Sequence, residues 1–161
     1  YISTPMAMLS ASARGYRMQA LAQAVDKLVH PCADIQATGG ECDWTRNEHR
    51  IECKSGQLLW EQGRQSWYFK FEGIKFSPGR AGAGAAFDEL QLVLYTPRGI
   101  YIYQHDLLLG VARTGAAMET RGWKIQLFAQ ANTLDWSAAL DAILDKLARS
   151  SCKRIAFIPW S

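Results

Sequence analysis

Between residues 10 and 30, Leu21, Ala24, Val25 and Leu28 recur at i, i+3, i+4 and i+7, with Gln23, Asp26 and Lys27 opposite them. That period predicts an amphipathic helix, which Pro31 ends. The pattern then changes to period 2. Thr38-Gly39-Gly40 supplies turn residues, Cys42-Asp43-Trp44 follows, and polar residues 45–49 lead into Arg50-Ile51-Glu52-Cys53-Lys54, where apolar and charged positions alternate. This predicts a β-hairpin with one apolar and one charged face. Residues 67–76 predict a strand with Trp67, Phe69 and Phe71 facing one way and Tyr68, Lys70 and Glu72 the other. Gly79, Gly82 and Gly84 predict a mobile loop over 77–86, and Thr96-Pro97-Arg98-Gly99 a turn joining strands at 90–95 and 100–103. A short strand at 123–128 follows. Trp136, Ala139, Leu140, Ile143, Leu144 and Leu147 share one face of a second helix, capped by Thr133 or Asn132, and residues 155–160 form a last strand. The order of helix, five or six strands, helix, strand predicts an α/β fold, a mixed central β-sheet flanked by helices.

Composition narrows the class. The 161 residues suit one domain, and 48% hydrophobic with 20% charged residues excludes a disordered chain. The apolar runs are too short to cross a bilayer, and residues 1–10 lack a basic segment followed by an apolar one, so neither a membrane span nor a secretory signal is read. A net charge of +3 permits a polyanionic partner without requiring one. Four scattered cysteines, Cys32, Cys42, Cys53 and Cys152, read as reduced thiols of an intracellular, cytoplasmic protein.

The candidate chemistry sits in the first hairpin. Glu52 and Lys54, two apart on a strand, share a face while Ile51 and Cys53 point to the core, and a hairpin brings Asp43 across to them. Two converging carboxylates repel each other, and a hard cation with oxygen ligands relieves that repulsion. Asp43, Glu52 and the Cys53 carbonyl are therefore candidate ligands for Mg²⁺, with Mn²⁺ as substitute. Lys54 beside them is placed to orient or deprotonate an attacking water or to stabilise charge on a phosphate.

With these residues, the chain resembles the PD-(D/E)xK nuclease superfamily, which includes many type II restriction endonucleases and archaeal-type Holliday junction resolvases. The resemblance rests on the helix carrying Gly15-Tyr16-Arg17-Met18-Gln19, then Asp43, then Ile51-Glu52-Cys53-Lys54-Ser55. The aromatic strand, Phe87-Asp88-Glu89-Leu90 and Tyr103-Gln104-His105-Asp106 extend it over roughly residues 10–130. It implies a restriction-endonuclease-like fold, metal binding by Asp43 and Glu52, and assistance to the nucleophilic water by Lys54. Gln19 stands where family members often carry an acid on the first helix, and Cys42 where the family name has proline.

Other constellations are weaker. His30, Cys32, Cys42, His49 and Cys53 lack paired zinc-ligand spacing and read as core thiols and surface histidines. His105 with Asp106 has no serine or cysteine partner and reads as a hairpin end, and the glycine-rich loop lacks the Gly-Lys-Ser/Thr of a phosphate-binding loop. Tyr68, Lys70, Lys75 and Arg80 are the surface residues expected to meet nucleic acid. The reading that results is a Mg²⁺-dependent DNA endonuclease, restriction-like and acting as a homodimer because two scissile strands call for two sites. The alternatives are a junction-resolvase-like nuclease, a non-catalytic nucleic-acid-binding or assembly domain of the same fold, and a small-molecule-binding α+β domain.

Overall fold

Ser10 opens the first helix by accepting the Ala13 N–H on its hydroxyl, and α1 runs Ala11–Val29. The computed structural model of the chain describes residues 9–38, 42–74, 87–105, 113–118, 122–150 and 152–160. The buried stripe of α1 is turned from the one its apolar residues predict. Met18, Ala22 and Asp26 are buried, Leu21 and Val25 are half-buried, and Leu28 is 80% exposed. Asp26 is drawn inward because the Trp44 indole donates a hydrogen bond to it at 2.9 Å, and this polar anchor outweighs the burial of one leucine.

Ten strands follow among the described residues: β1 (Ile35–Ala37), β2 (Trp44–Arg46), β3 (His49–Gln57), β4 (Leu59–Glu61), β5 (Ser66–Ile74), β6 (Glu89–Tyr95), β7 (Gly99–His105), β8 (Arg113–Met118), β9 (Gly122–Phe128) and β10 (Lys153–Pro159). The second helix, α2 (Trp136–Arg149), lies between β9 and β10, and its cap is Asp135, not Thr133 or Asn132. The fold is α/β, with a mixed multi-strand sheet and two helices. The strands divide between two sheets where the sequence predicts one. The first has the order β1-β2-β3-β6-β7-β10, with β3 and β6 parallel and every other pair antiparallel. The second is antiparallel, β4-β5-β9-β8.

Leu58, fully buried and tied by its N–H to the Tyr95 carbonyl at 3.1 Å, carries the chain from the first sheet to the second. A parallel pair needs a long crossover. Here the described part of the crossover from β3 to β6 contains β4 and β5. The first sheet is covered on both faces. On one face α1 packs on Trp44, Ile51, Cys53, Val93 and Ile102. On the other, Phe69, Phe71, Ile125 and Leu127 of the second sheet and Leu140, Ile143 and Leu147 of α2 bury Leu90, Leu92, Leu94 and Tyr101.

The glycine of the Thr96–Gly99 turn is required there: φ is +152°, and a Cβ on Gly99 would lie 2.3 Å from the Ile158 carbonyl oxygen of β10. The four cysteines are free, and no described helix is long and apolar enough to cross a membrane. The predicted glycine-rich loop, with Lys75 and Arg80, lies outside the described residues, as does Asp106.

Candidate active site

The β2–β3 turn is tighter than the polar run suggests. Thr45 and Arg46 belong to β2 and His49 to β3, leaving Asn47 and Glu48 with φ of +48° and +69° as a two-residue turn. This turn fixes the register, pairing Trp44 with Ile51. One step further, the Asp43 N–H donates to the Ile51 carbonyl at 2.9 Å, which sets Asp43 opposite Glu52. Directly opposed residues share a face. Asp43, Glu52 and Lys54 therefore look out on the second-sheet side, whereas Ile51 and Cys53 face α1.

The Asp43 carboxylate reaches across the edge of β3, its Oδ2 accepting the Cys53 N–H at 2.7 Å. On a strand, the N–H and carbonyl of one residue point to the same side. The Cys53 carbonyl consequently opens on the edge that Asp43 occupies. Burial first, then the charges of Asp43 and Glu52, push the Cys53 thiol far above its ordinary range, with Lys54 acting in the opposite sense. The thiol stays protonated, leaving the carbonyl as the donor that Cys53 offers a cation.

Glu52 is buried and Lys54 half-buried. Among the described residues, no carboxylate lies within ion-pair distance of the Lys54 ammonium, and no cation within that distance of Asp43. The ammonium faces the backbone of β5 instead. A Cβ on Gly73, where a one-residue bulge gives φ of +71°, would stand 3.6 Å from Lys54 Nζ. Asp43 and Lys54 thus share one face without forming an ion pair among the described residues. No cluster of three or more His, Cys, Asp and Glu side chains suited to a metal is found among the described residues. Two carboxylates and a carbonyl suit Mg²⁺, which keeps several waters, better than a metal needing a full protein cage.

Gln19 is half-buried on α1, the layer that covers the Ile51 and Cys53 face, so the strand separates it from the face of Asp43, Glu52 and Lys54. Tyr68 and Lys70 lie on the outer face of the second sheet. Tyr68 stacks on Phe128 at 5.3 Å, and Lys70 pairs with Glu72 at 3.2 Å. Two features escape the sequence reading. His105 is buried and stands in register with Leu90, itself in register with Glu52, on the same face. Counting in twos back along β7 from the Thr96–Gly99 turn would have shown this. On the opposite face, half-buried Arg46 bridges two buried carboxylates, donating to Glu89 at 2.8 Å and lying 3.5 Å from Asp26. His30 and His49 flank these acids and not the cysteines.

No family model, curated protein or solved structure matches this chain. The site's own geometry carries the functional argument.

The entry to β6 is held by Arg50, whose backbone N–H, Nε and Nη2 donate to the Asp88 carboxylate at 2.9, 3.1 and 3.0 Å. The side-chain hydrogen bonds from Arg50 hold the Asp88 carboxyl down to about 2. A lowered carboxyl contributes stability above its unfolded value, about 3.9, and loses it as pH falls toward 2. Both side chains are more than a third exposed, so the contribution is small. Urea midpoints of wild type and Asp88→Asn are expected to differ above pH 4 and to converge near pH 2. A constant difference across that window would show that the charge on Asp88 is not involved.

Proposed function

We propose that the chain is a metal-dependent endonuclease that hydrolyses DNA phosphodiesters, of the PD-(D/E)xK kind and with its restriction-endonuclease-like fold. One observation carries this reading: Asp43 and Lys54 share a face with Glu52, yet among the described residues neither forms an ion pair. A site that only solvated the sheet would let these charges pair. Charges held apart and half-buried are poised for a third party.

Asp43, Glu52 and the Cys53 carbonyl would hold Mg²⁺, which when bound polarises a phosphate oxygen and acidifies a water. Asp43 is oriented for this by the Cys53 N–H. Lys54 orients the attacking water and holds a proton at Nζ, while its positive charge stabilises the phosphate as charge builds on its oxygens. The water adds to phosphorus in line with the departing oxygen, leaving a phosphate on one product and a hydroxyl on the other. Action as a homodimer, restriction-like in preference to junction-resolving, completes the proposal, and the free cysteines support a reducing compartment. Incubation with supercoiled plasmid in Mg²⁺ or EDTA tests it: nicking or linearisation in Mg²⁺ alone is expected. A second reading, nucleic-acid binding without catalysis, is favoured by Gln19 standing across the strand from the carboxylates. Binding without cleavage in that assay would select it.

Metal binding also predicts a thermal signature. A cation that binds only the folded site at a dissociation constant of ~1 mM adds roughly 1.4 kcal/mol at ~10 mM, on the order of 3–6 °C in Tm. Asp43→Asn is expected to raise the metal-free Tm slightly and to blunt this rise. Equal metal shifts in both proteins, melted at constant ionic strength, would remove Asp43 from the ligand set.

A further inference from the structure

Just past Lys54, the edge of β3 borders a second polar site. The described pairing of β2 with β3 reaches only to Ile51, and beyond it Cys53, Ser55 and Gln57 turn their backbone groups to the side that β2 has left. Between this edge, α1 and β5 lies a pocket of about 190 Å³ whose wall includes Arg14, Met18, Ser55, Gln57, Lys70 and Tyr95. None of its lining residues is acidic.

Its donors are largely uncommitted. The Arg14 guanidinium spends one N–H on the Leu9 carbonyl at 2.6 Å and pairs with no acid among the described residues, which leaves most of its five N–H groups uncommitted to them. Among the described residues, the Ser55 hydroxyl makes no hydrogen bond. Lys70, also on the lining, is paired among the described residues with Glu72, which does not line the pocket.

We propose that this pocket binds a phosphate group of the nucleic-acid strand, the one next to the phosphate attacked at Asp43, Glu52 and Lys54. The choice of strand rests on the nuclease reading, while the chemistry of the pocket does not. Arg14 and Lys70 both line this volume, and a guanidinium forks onto phosphate oxygens. Two residues of strand, Cys53 to Ser55, advance about 6.6 Å, comparable with the spacing of consecutive phosphates along a nucleic-acid strand. A strand laid along this edge would therefore present one phosphate to the carboxylates and its neighbour to Arg14 and Ser55.

The test is DNA binding by the full chain without divalent metal, followed by fluorescence anisotropy on short labelled duplex and single-stranded DNA at several salt concentrations. Arg14→Gln and Lys70→Gln are each expected to lower the log–log salt slope by about 0.9 on duplex and about 0.7 on single strands. Arg14→Lys keeps the charge and should keep the slope, although it too disturbs the Leu9 contact, and this separates phosphate binding from fraying of α1. Tighter binding of 5′-phosphorylated than of 5′-hydroxyl DNA, with competition by inorganic phosphate, would assign the pocket to a strand end. Equal binding of the two would assign it to an internal phosphodiester. Because metal is omitted, a failure of the plasmid assay would remove the nuclease reading and leave this result standing. Wild-type slope and affinity in both Arg14→Gln and Lys70→Gln, on every DNA, would overturn the proposal.

Discussion

Lys54→Ala is expected to slow Mg²⁺-dependent DNA cleavage by about 10²–10⁴-fold, the range for a positioned proton-transfer group. The expectation follows from where the ammonium sits. It shares a face with Asp43 and Glu52, faces the bare Cα of Gly73, and forms no ion pair among the described residues. Removing it should therefore leave folding stability within about 0.5 kcal/mol of wild type, as for substitutions that break no structural contact. Lys54→Arg separates its two roles: the guanidinium restores charge but does not place a donor where Nζ orients the water, so only the electrostatic part of the rate should return. Glu52→Gln should lower the rate at least as far, because it weakens the metal site itself. Single-turnover cleavage at saturating DNA is the measurement. A wild-type rate in Lys54→Ala or Glu52→Gln would take that residue out of the mechanism.

The largest effect on stability is expected on the other face of the sheet. Asp26 and Glu89 are 2% and 5% exposed, and Arg46 is the cation between them. Arg46→Met would leave both carboxylates buried without that cation. Breaking a buried pair in this way costs about 3–5 kcal/mol, or about 6–20 °C in Tm for a chain of this length. The hydrogen bonds from Trp44 to Asp26 and from Gln91 to Glu89 would persist, but they do not replace a charge. Adding Asp26→Asn and Glu89→Gln to Arg46→Met should recover part of the loss. Urea unfolding near pH 7 reads both effects, and a loss below about 1 kcal/mol for Arg46→Met would mean that water reaches the cluster.

The contrast between the two faces shows what the amino-acid order discloses. Asp43, Glu52 and Lys54 lie within one hairpin, so period 2 and a short turn suffice to bring them to one face. The alternation of Trp67, Phe69 and Phe71 likewise foretells which side of β5 is buried. Asp26, Arg46 and Glu89 come from three elements far apart in sequence, and no local pattern links them. The same cluster turned α1, because a buried hydrogen bond from Trp44 drew in a residue that periodicity places on the solvent side. The second sheet was hidden for a different reason. β4 has three residues, too few for a period to register, and strands split between sheets only through tertiary packing at Leu58 and Gly56, where Phe71 of β5 approaches a Cβ position to 3.0 Å.

The central claim is that Asp43, Glu52 and the Cys53 carbonyl share one cation. Anomalous scattering from crystals of the full chain soaked in Mn²⁺ tests it most directly. The account predicts a single strong peak at the edge of β3, about 2.0–2.2 Å from an oxygen of each of those three residues, lost in Asp43→Asn. No peak there, at Mn²⁺ concentrations that support DNA cleavage, or a peak bound by other side chains, would contradict it.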